Sequence, residues 1–273
     1  MTLTAEARTL APPERRIAEV RSVERIGAYD LITARDPIGP PDPRPGQFYM
    51  LAAGERWGGG AGERPYLPRA FSYARARPLA GGQGVDLQFL LEEVGPGTCR
   101  LGELVAGDPL ALLGPLGIGF ESPPADRRPL LVGGGIGVAP LLCWDDELRA
   151  GAREPGVLLG FRSAGHARAA DLFAGSPDVS TDDGSVGRAG VVTEPLRADL
   201  ERDPLAVVHA CGPEGMLDAV RSVCGELGVP ARLALEAGMA CGYGACFGCV
   251  VPTVDGYARV CVDGPVFDAA VLA

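Results

Sequence analysis

Four cysteines near the C-terminus constrain this chain more than any other feature. Cys241, Cys246, Cys249 and Cys261 form a C-x4-C-x2-C-x11-C run within EAGMACGYGACFGCVVPTVDGYARVC. The first three have the spacing with which a loop wraps a 2Fe-2S cluster through its thiolates. Gly242, Gly244 and Gly248 alternate with them. Glycine there allows the positive φ of a tight turn and a close approach of backbone N–H groups to the cluster sulfurs. Two other readings stand beside this one. Zinc sites usually pair their cysteines as two short knuckles, and only Cys246 and Cys249 have that spacing. Disulfide-forming or coincidental cysteines are the third reading.

Composition narrows the setting. The chain has 273 residues, enough for two ordinary domains and a small appendage, and its 47% hydrophobic content can fill their cores. No apolar run approaches the roughly 20 residues that span a bilayer, and the N-terminal MTLTAEARTLAPPERR lacks the apolar core of a secretory signal. A cytoplasmic protein with no membrane partner is expected. In that reducing compartment the eight cysteines suit metal ligands and buried thiols better than disulfides. The formal net charge is −10, and all 25 basic residues are arginines without a run among them, so nucleic acid is not an expected partner.

The chain divides by pattern. Residues 1–14 are polar, carry Pro12-Pro13 and read as a flexible tail. Across 15–121, short strand-like runs (RRIAEVRSVERI, AYDLITARD, QFYMLAA, then Ala70 to Arg75, Val85 to Val94 and Pro109 to Leu113) alternate with Pro- and Gly-rich turns, which predicts an antiparallel β-barrel. Residues 54–68, GERWGGGAGERPYLP, read as a surface loop within it. Across 122–225, apolar strands alternate with glycine turns and helices, which predicts a parallel-sheet α/β nucleotide-binding domain. Residues 226–273 are too few for a core of their own, and a bound cluster would staple them. The expected architecture is multidomain, β plus α/β, with a small C-terminal 2Fe-2S module.

Individual motifs carry less weight alone. In Arg69-Ala70-Phe71-Ser72-Tyr73, Arg69 could pair with a pyrophosphate and Ser72 could place a hydroxyl near a flavin ring, although an ordinary strand reads the same way. Gly97 and Thr98 of VGPGT could add a phosphate contact or simply make a turn. The VGGGIGVAP stretch, with Gly134, Gly135 and Gly137, ends an apolar strand and opens a helix, where a phosphate can approach the backbone. It does not match G-x-G-x-x-G, so a plain strand-to-helix turn stays open. Cys211 and Gly212 of CGPEGM end another strand, with Cys211 either a nicotinamide neighbour or a buried thiol. Cys99, Cys143 and Cys224 read as structural. His166 and His209 lack the clustering of a metal site, and His209 reads as a core histidine beside the cofactor cleft.

Taken in order, RAFSY, VGPGT, LLGPLGIGF, VGGGIGVAP, TDDGSVGRAG, CGPEGM and the MACGYGACFGCVV…RVCVDGPVF cysteine segment resemble one family over residues 15 to 268. It is similar to the electron-transfer subunits of class 1B, NAD-dependent dihydroorotate dehydrogenases, within the ferredoxin reductase superfamily. The resemblance implies that the barrel binds FAD through Arg69, Ser72, Gly97 and Thr98, and that the α/β domain binds NAD. It further implies a 2Fe-2S cluster in the C-terminal module and a separate FMN-containing catalytic subunit, giving a hetero-oligomer, a heterotetramer, that works in pyrimidine biosynthesis. This chain would then be a conduit with no catalytic base of its own. Ala70 stands where proline is frequent in the family and Tyr73 where an aliphatic residue often follows the serine. The 54–68 loop is longer than usual.

Asp182 and Asp183 follow a strand of the nucleotide domain, where they would repel the 2'-phosphate of NADP. Arg162 and Arg168 oppose that inference. Two other functions fit the same layout: a reductase subunit of another flavin and iron-sulfur complex, of sulfide dehydrogenase or transhydrogenase type, and a redox sensor reporting NADH status.

Overall fold

The computed structural model describes residues 14–53 and 67–273. All of the expected tail except Glu14, and residues 54–66 of the expected loop, lie outside the described residues. The N-terminal half is a closed six-stranded antiparallel barrel in the order β1-β2-β5-β4-β3-β6. Its strands are β1 (Arg15–Ile26), β2 (Tyr29–Asp36), β3 (Phe48–Ala53), β4 (Arg69–Pro78), β5 (Val85–Leu91) and β6 (Pro109–Leu116), with a short helix α1 (Pro96–Gly102) before the last. Alternation drives the inward face of β1, where Ala18 and Val20 are buried while Glu19 and Arg21 face water. Arg16 is an inward exception that the fold satisfies. Its Nε donates to Asp36 Oδ2 at 2.7 Å and its Nη2 to the Gly114 carbonyl at 2.7 Å, tying β1, β2 and β6 together.

The second half is a seven-stranded sheet in the order β10-β9-β8-β7-β11-β12-β15. The chain runs β7 (Arg128–Gly134), a 3-10 turn (Gly135–Val138), α2 (Ala139–Ala150), β8 (Gly156–Phe161), α3 (Ala164–Ala167) and β9 (Asp178–Thr181). It continues through β10 (Arg188–Ala189), α4 (Thr193–Arg202), β11 (Ala206–Cys211), α5 (Glu214–Leu227) and β12 (Ala231–Ala234). All pairings among these strands are parallel. β11 reads AVVHAC and is buried along its whole length, as a strand covered on both faces must be.

The boundary expected after residue 225 does not hold. It falls inside α5, and the sheet goes on to take β12 and then, antiparallel to it, β15 (Val266–Asp268) from beyond the last cysteine. Ala231, Leu233 and Val266 are buried, and that apolar run completes the sheet after its last helix. What remains of the C-terminal module is the cysteine loop, a hairpin of β13 (Val250–Thr253) and β14 (Gly256–Arg259), and a one-turn helix α6 (Val260–Asp263). The module has no separate core, as its length implies. Cys249, Val260 and Cys261 share one apolar cluster with Phe48, Met50 and Leu116 of the barrel and with Leu233 and Phe267 of the sheet.

The halves interlock through α2, which lies across β4. Arg75 Nε donates to Asp146 Oδ2 at 2.6 Å, and Cys143 joins the barrel core. Among the described residues no helix is long and apolar enough to cross a membrane.

His209 is buried as expected, packed against Phe120 and Trp144, with backbone groups of Glu121 and Val207 beside its ring. Burial pushes its pKa down to about 4, so the native ring stays neutral where an unfolded histidine, near 6.5, takes up a proton. That stability is fully present above pH 6.5 and is lost as pH falls toward 4, at up to about 1.4 kcal/mol per pH unit. Urea unfolding of the wild type and His209→Asn at pH 7 and pH 5 should show a pH-dependent loss that the variant lacks. Equal losses would rule His209 out as its source.

Candidate functional site

β7 and β11 lie side by side at the centre of the sheet, with Gly133 opposite Cys211 in the register. The chain passes from β7 toward β8 on one side and from β11 toward β12 on the other, so the crevice beyond their carboxyl ends is the topological switch point where ligands of open α/β sheets bind. Three glycines let the two turns there touch. A Cβ on Gly137 would lie 2.6 Å from the Cys211 carbonyl oxygen and from the Gly212 nitrogen and Cα, and one on Gly134 would lie 2.5 Å from Met216 Sδ. Gly212 packs reciprocally on Gly134. Gly135 differs: it has a φ of +55° with open space where a side chain would stand.

Two cavities meet over these turns. The larger, about 600 Å³, is lined by Gly134, Gly135, Gly137 and Gly212, by Tyr29 from the barrel, and by Arg162 and Asp182 from the ends of β8 and β9. The smaller, about 260 Å³, lies against β4 and is lined by Phe71, Ser72, Thr98, Gly137 and Cys211. Glu92, Ile136, Gly137 and Glu236 line both and form their common wall. The far side of the smaller cavity is built by Leu235, Ala237 and Met239, just before the cysteine loop, and by Pro265, just after it.

The structure therefore brings Ser72, Thr98 and Cys211 to one cavity and Gly134, Gly135, Gly137 and Gly212 to the other. Arg69 and Gly97 line a separate small recess, where the guanidinium covers the glycine so closely that a Cβ would sit 2.4 Å from Nε. Arg69 Nη1 donates to the Leu67 carbonyl at 2.6 Å. The Thr98 hydroxyl is committed to its own turn, accepting from the Val94 and Gly95 N–H groups at 2.9 and 3.0 Å and donating to the Gly95 carbonyl. Cys211 is fully enclosed, and burial raises its thiol well above the usual range, so it is a neutral wall of the cavity.

Sequence reasoning missed the polar groups of the common wall. Glu92 follows β5 in the LLEEV run and Glu236 opens the cysteine segment, and neither belongs to a motif. Glu92 Oε1 accepts from Arg162 Nη2 at 2.5 Å and lies 3.3 Å from His166 Nε2. Among the described residues Arg162 is the one arginine of the larger cavity's lining, and Glu92 holds it. Arg168 is ion-paired to Asp171 at 2.7 Å and does not line the cavity. Glu236 is open to the cleft, yet the protein around it raises its carboxyl pKa through desolvation.

The cysteine loop turns as its glycines require at Gly242 and Gly244, with φ of +80° and +85°. At the third turn the left-handed residue is Phe247, at +56°, rather than Gly248. The hairpin explains the long x11 interval. Val250 pairs with Arg259, so the chain returns Cys261 beside Cys249, and the Cys261 N–H lies 3.4 Å from Cys249 Sγ. The four thiols stand as two interacting pairs, Cys241 with Cys246 and Cys249 with Cys261. Backbone N–H groups face the sulfurs. Burial raises the Cys241 thiol, but N–H groups of Tyr243, Cys246 and Ala245 and the Cys246 thiol more than offset it and bring it down to about 7. The Gly248 N–H lies 3.4 Å from Cys246 Sγ.

Among the described residues no three Cys, His, Asp or Glu side chains group as one metal ion would need. Two dithiol pairs ringed by N–H donors fit a cluster of two iron atoms, each taking two thiolates. In that fit Cys241, Cys246, Cys249 and Cys261 hold the cluster.

A barrel closed against a parallel sheet, a cavity at the switch point, a second cavity against β4 and a cysteine loop beside it define a ferredoxin reductase-like oxidoreductase with an added iron-sulfur module. A solved NADH-dependent reduced ferredoxin-NADP oxidoreductase is similar over 94% of this chain and 89% of its own, with a TM-score of 0.76 and 26% identity. The family model for the iron-sulfur cluster binding domain of dihydroorotate dehydrogenase B matches residues 236–273. The dihydroorotate dehydrogenase B (NAD(+)) electron transfer subunit of Geobacillus kaustophilus is 40% identical over 83% of this chain and 85% of its own length. Its counterpart in Clostridium acetobutylicum is 34% identical over 91% and 96%. The chain belongs to the family of dihydroorotate dehydrogenase B electron transfer subunits.

Proposed function

We propose that this chain carries electrons from an FMN-containing dihydroorotate dehydrogenase catalytic subunit to NAD through a 2Fe-2S cluster and FAD. It acts in cytoplasmic pyrimidine biosynthesis, within a heterotetramer. One observation carries the reading: the nucleotide cavity, the cavity against β4 and the cysteine loop follow one another in contact, with Glu92, Ile136, Gly137 and Glu236 between the first two and Ala237, Met239 and Pro265 between the last two. That is the layout of a relay.

FAD, when bound, exchanges a two-electron hydride with a nicotinamide and passes single electrons to a cluster. This chain's residues serve that chemistry by placement. Ser72, Thr98 and Cys211 bound the flavin cavity, and Arg69, over Gly97 in its separate recess, is the group for the pyrophosphate. Gly134, Gly135, Gly137 and Gly212 let the dinucleotide approach backbone at the switch point. Glu236, whose carboxyl pKa is raised by desolvation, stands on the wall where the two ligands meet. The barrel is then the FAD domain, the sheet the NAD domain and the last residues, from about Glu236, the cluster module.

Anaerobic NADH titration of the purified chain, with iron and sulfide assayed on the same sample, should bleach the flavin and the cluster's visible absorption together. A loaded protein whose flavin ignores NADH would refute the assignment of the switch-point cavity. The likeness to the bifurcating oxidoreductase supports a second reading, a subunit of another flavin and iron-sulfur complex. A co-purifying FMN subunit argues for the first reading and a larger iron-sulfur flavoprotein for the second.

The cavity's charge favours NAD. Asp182 lines it, and Arg162, the one arginine lining it among the described residues, is already paired with Glu92. Asp182→Asn should raise kcat/KM for NADPH about fivefold relative to NADH, the equivalent of ~1 kcal/mol for a unit charge at 4 Å in a water-like medium. An unchanged ratio would remove Asp182 from the discrimination.

A further inference from the structure

Arg259 is the only basic residue between positions 236 and 273. It ends β14, two residues before Cys261, and its half-buried side chain makes two contacts with the cysteine loop and one with Asp263. Nη1 donates to the Gly244 carbonyl at 3.1 Å, and the guanidinium carbon stands 5.1 Å from the centroid of the Phe247 ring. The Arg259 N–H donates to Asp263 Oδ2 at 2.7 Å, and Nε lies 3.8 Å from the same oxygen.

The carbonyl that Arg259 grips belongs to the Gly244–Ala245 peptide, which lies in the loop between Cys241 and Cys246. The approach is close, since a Cβ on Gly244 would stand 3.2 Å from Arg259 Nη1. The module's single cation thus touches the loop between its first two cysteines while its own backbone stands two residues before the fourth. Phe247 supplies a further sign that this contact is built. It is a bulky residue held at φ +56°, a conformation costly without glycine, and its ring lies under the guanidinium.

We propose that Arg259 is a positioning residue for the iron-sulfur cluster, fixing the Gly244–Ala245 peptide between the first two cysteines and raising the cluster's reduction potential. The proposal rests on the four cysteines being the cluster ligands. Reduction adds one electron, supplied by the relay's own donor, and therefore one negative charge spread over the cluster and its sulfurs. A fixed guanidinium and oriented N–H dipoles favour that more negative state. Asp263, bound to the same arginine, opposes it.

The test uses the full chain as wild type, Arg259→Met, Arg259→Lys and Asp263→Asn, with iron and sulfide content measured beside an EPR-monitored redox titration. With full iron, Arg259→Met should shift the reduction equilibrium at least tenfold toward the oxidised cluster, about 59 mV lower for a one-electron couple. Arg259→Lys, which keeps the charge, should shift it less, and Asp263→Asn should shift it the other way. A fully loaded Arg259→Met protein with an unmoved midpoint overturns the proposal. If that variant does not hold iron, Arg259→Lys and Asp263→Asn decide: midpoints displaced in opposite directions support the proposal, and unmoved midpoints overturn it. A wild-type chain without iron and sulfide would overturn the ligand reading and this inference with it, whereas a loaded chain with unmoved variants overturns this inference alone.

Discussion

Replacing Cys246 with serine should abolish the cluster while leaving the flavin half of the protein working. Cys246 is exposed, and it pairs with Cys241 at the open side of the loop. A serine hydroxyl there is isosteric enough to leave the fold alone but is a far weaker iron ligand than a thiolate. Iron and sulfide should fall to near zero and electron transfer to the partner with them. NADH oxidation with an artificial two-electron acceptor should persist, because the switch-point turns and the wall of Glu92 and Ile136 lie in other elements.

The same change at Cys249 or Cys261 should also remove iron. Both are buried in the apolar cluster shared with Met50, Leu116 and Phe267, so a hydroxyl there should lower stability as well, by about 1 to 3 kcal/mol. Cys99→Ser is the control. Cys99 is exposed on α1, in the barrel half, and its loss should leave iron unchanged. Iron retained in Cys246→Ser, or lost in Cys99→Ser, would sink the ligand set.

The sequence made the cysteine loop legible because its chemistry is local. Four ligand positions and their glycines stand within a short run, and β13 and β14 return the last cysteine to the third. The barrel was legible for a similar reason, since Ala18 and Val20 alternate with exposed neighbours in β1. The division after residue 225 failed because β12 and β15 are too short to announce themselves, and β15 reaches the sheet only after the whole cluster loop has intervened. Glu92 and Glu236 were invisible for a different reason. Each is an isolated acid next to a strand or a loop, and only the closure of barrel on sheet brings both to the wall between two cavities. The pairing of β7 with β11, distant in sequence, gives Gly137 a role that no spacing rule supplies, which is to let the turns after those two strands touch.

Gly137→Ala should therefore do more damage than its single methyl suggests. The added carbon would stand 2.6 Å from three backbone atoms, the Cys211 carbonyl oxygen and the nitrogen and Cα of Gly212. No side chain can rotate away from that contact, so one turn must move off the other. Overpacking of this kind costs about 3 kcal/mol at the upper end of its usual range. The displaced turns line both cavities, so the affinity for NADH should fall by tenfold or more, and flavin reduction by NADH should slow with it. Gly225→Ala is the matched control. Gly225 sits within α5 with nothing near its missing Cβ, and alanine there should leave function alone and add about 0.5 to 1 kcal/mol of stability. Denaturant unfolding and NADH titration of the two variants separate the cases. A Gly137→Ala protein with wild-type stability and NADH affinity would mean that the contact between the β7 and β11 turns does not shape the dinucleotide site.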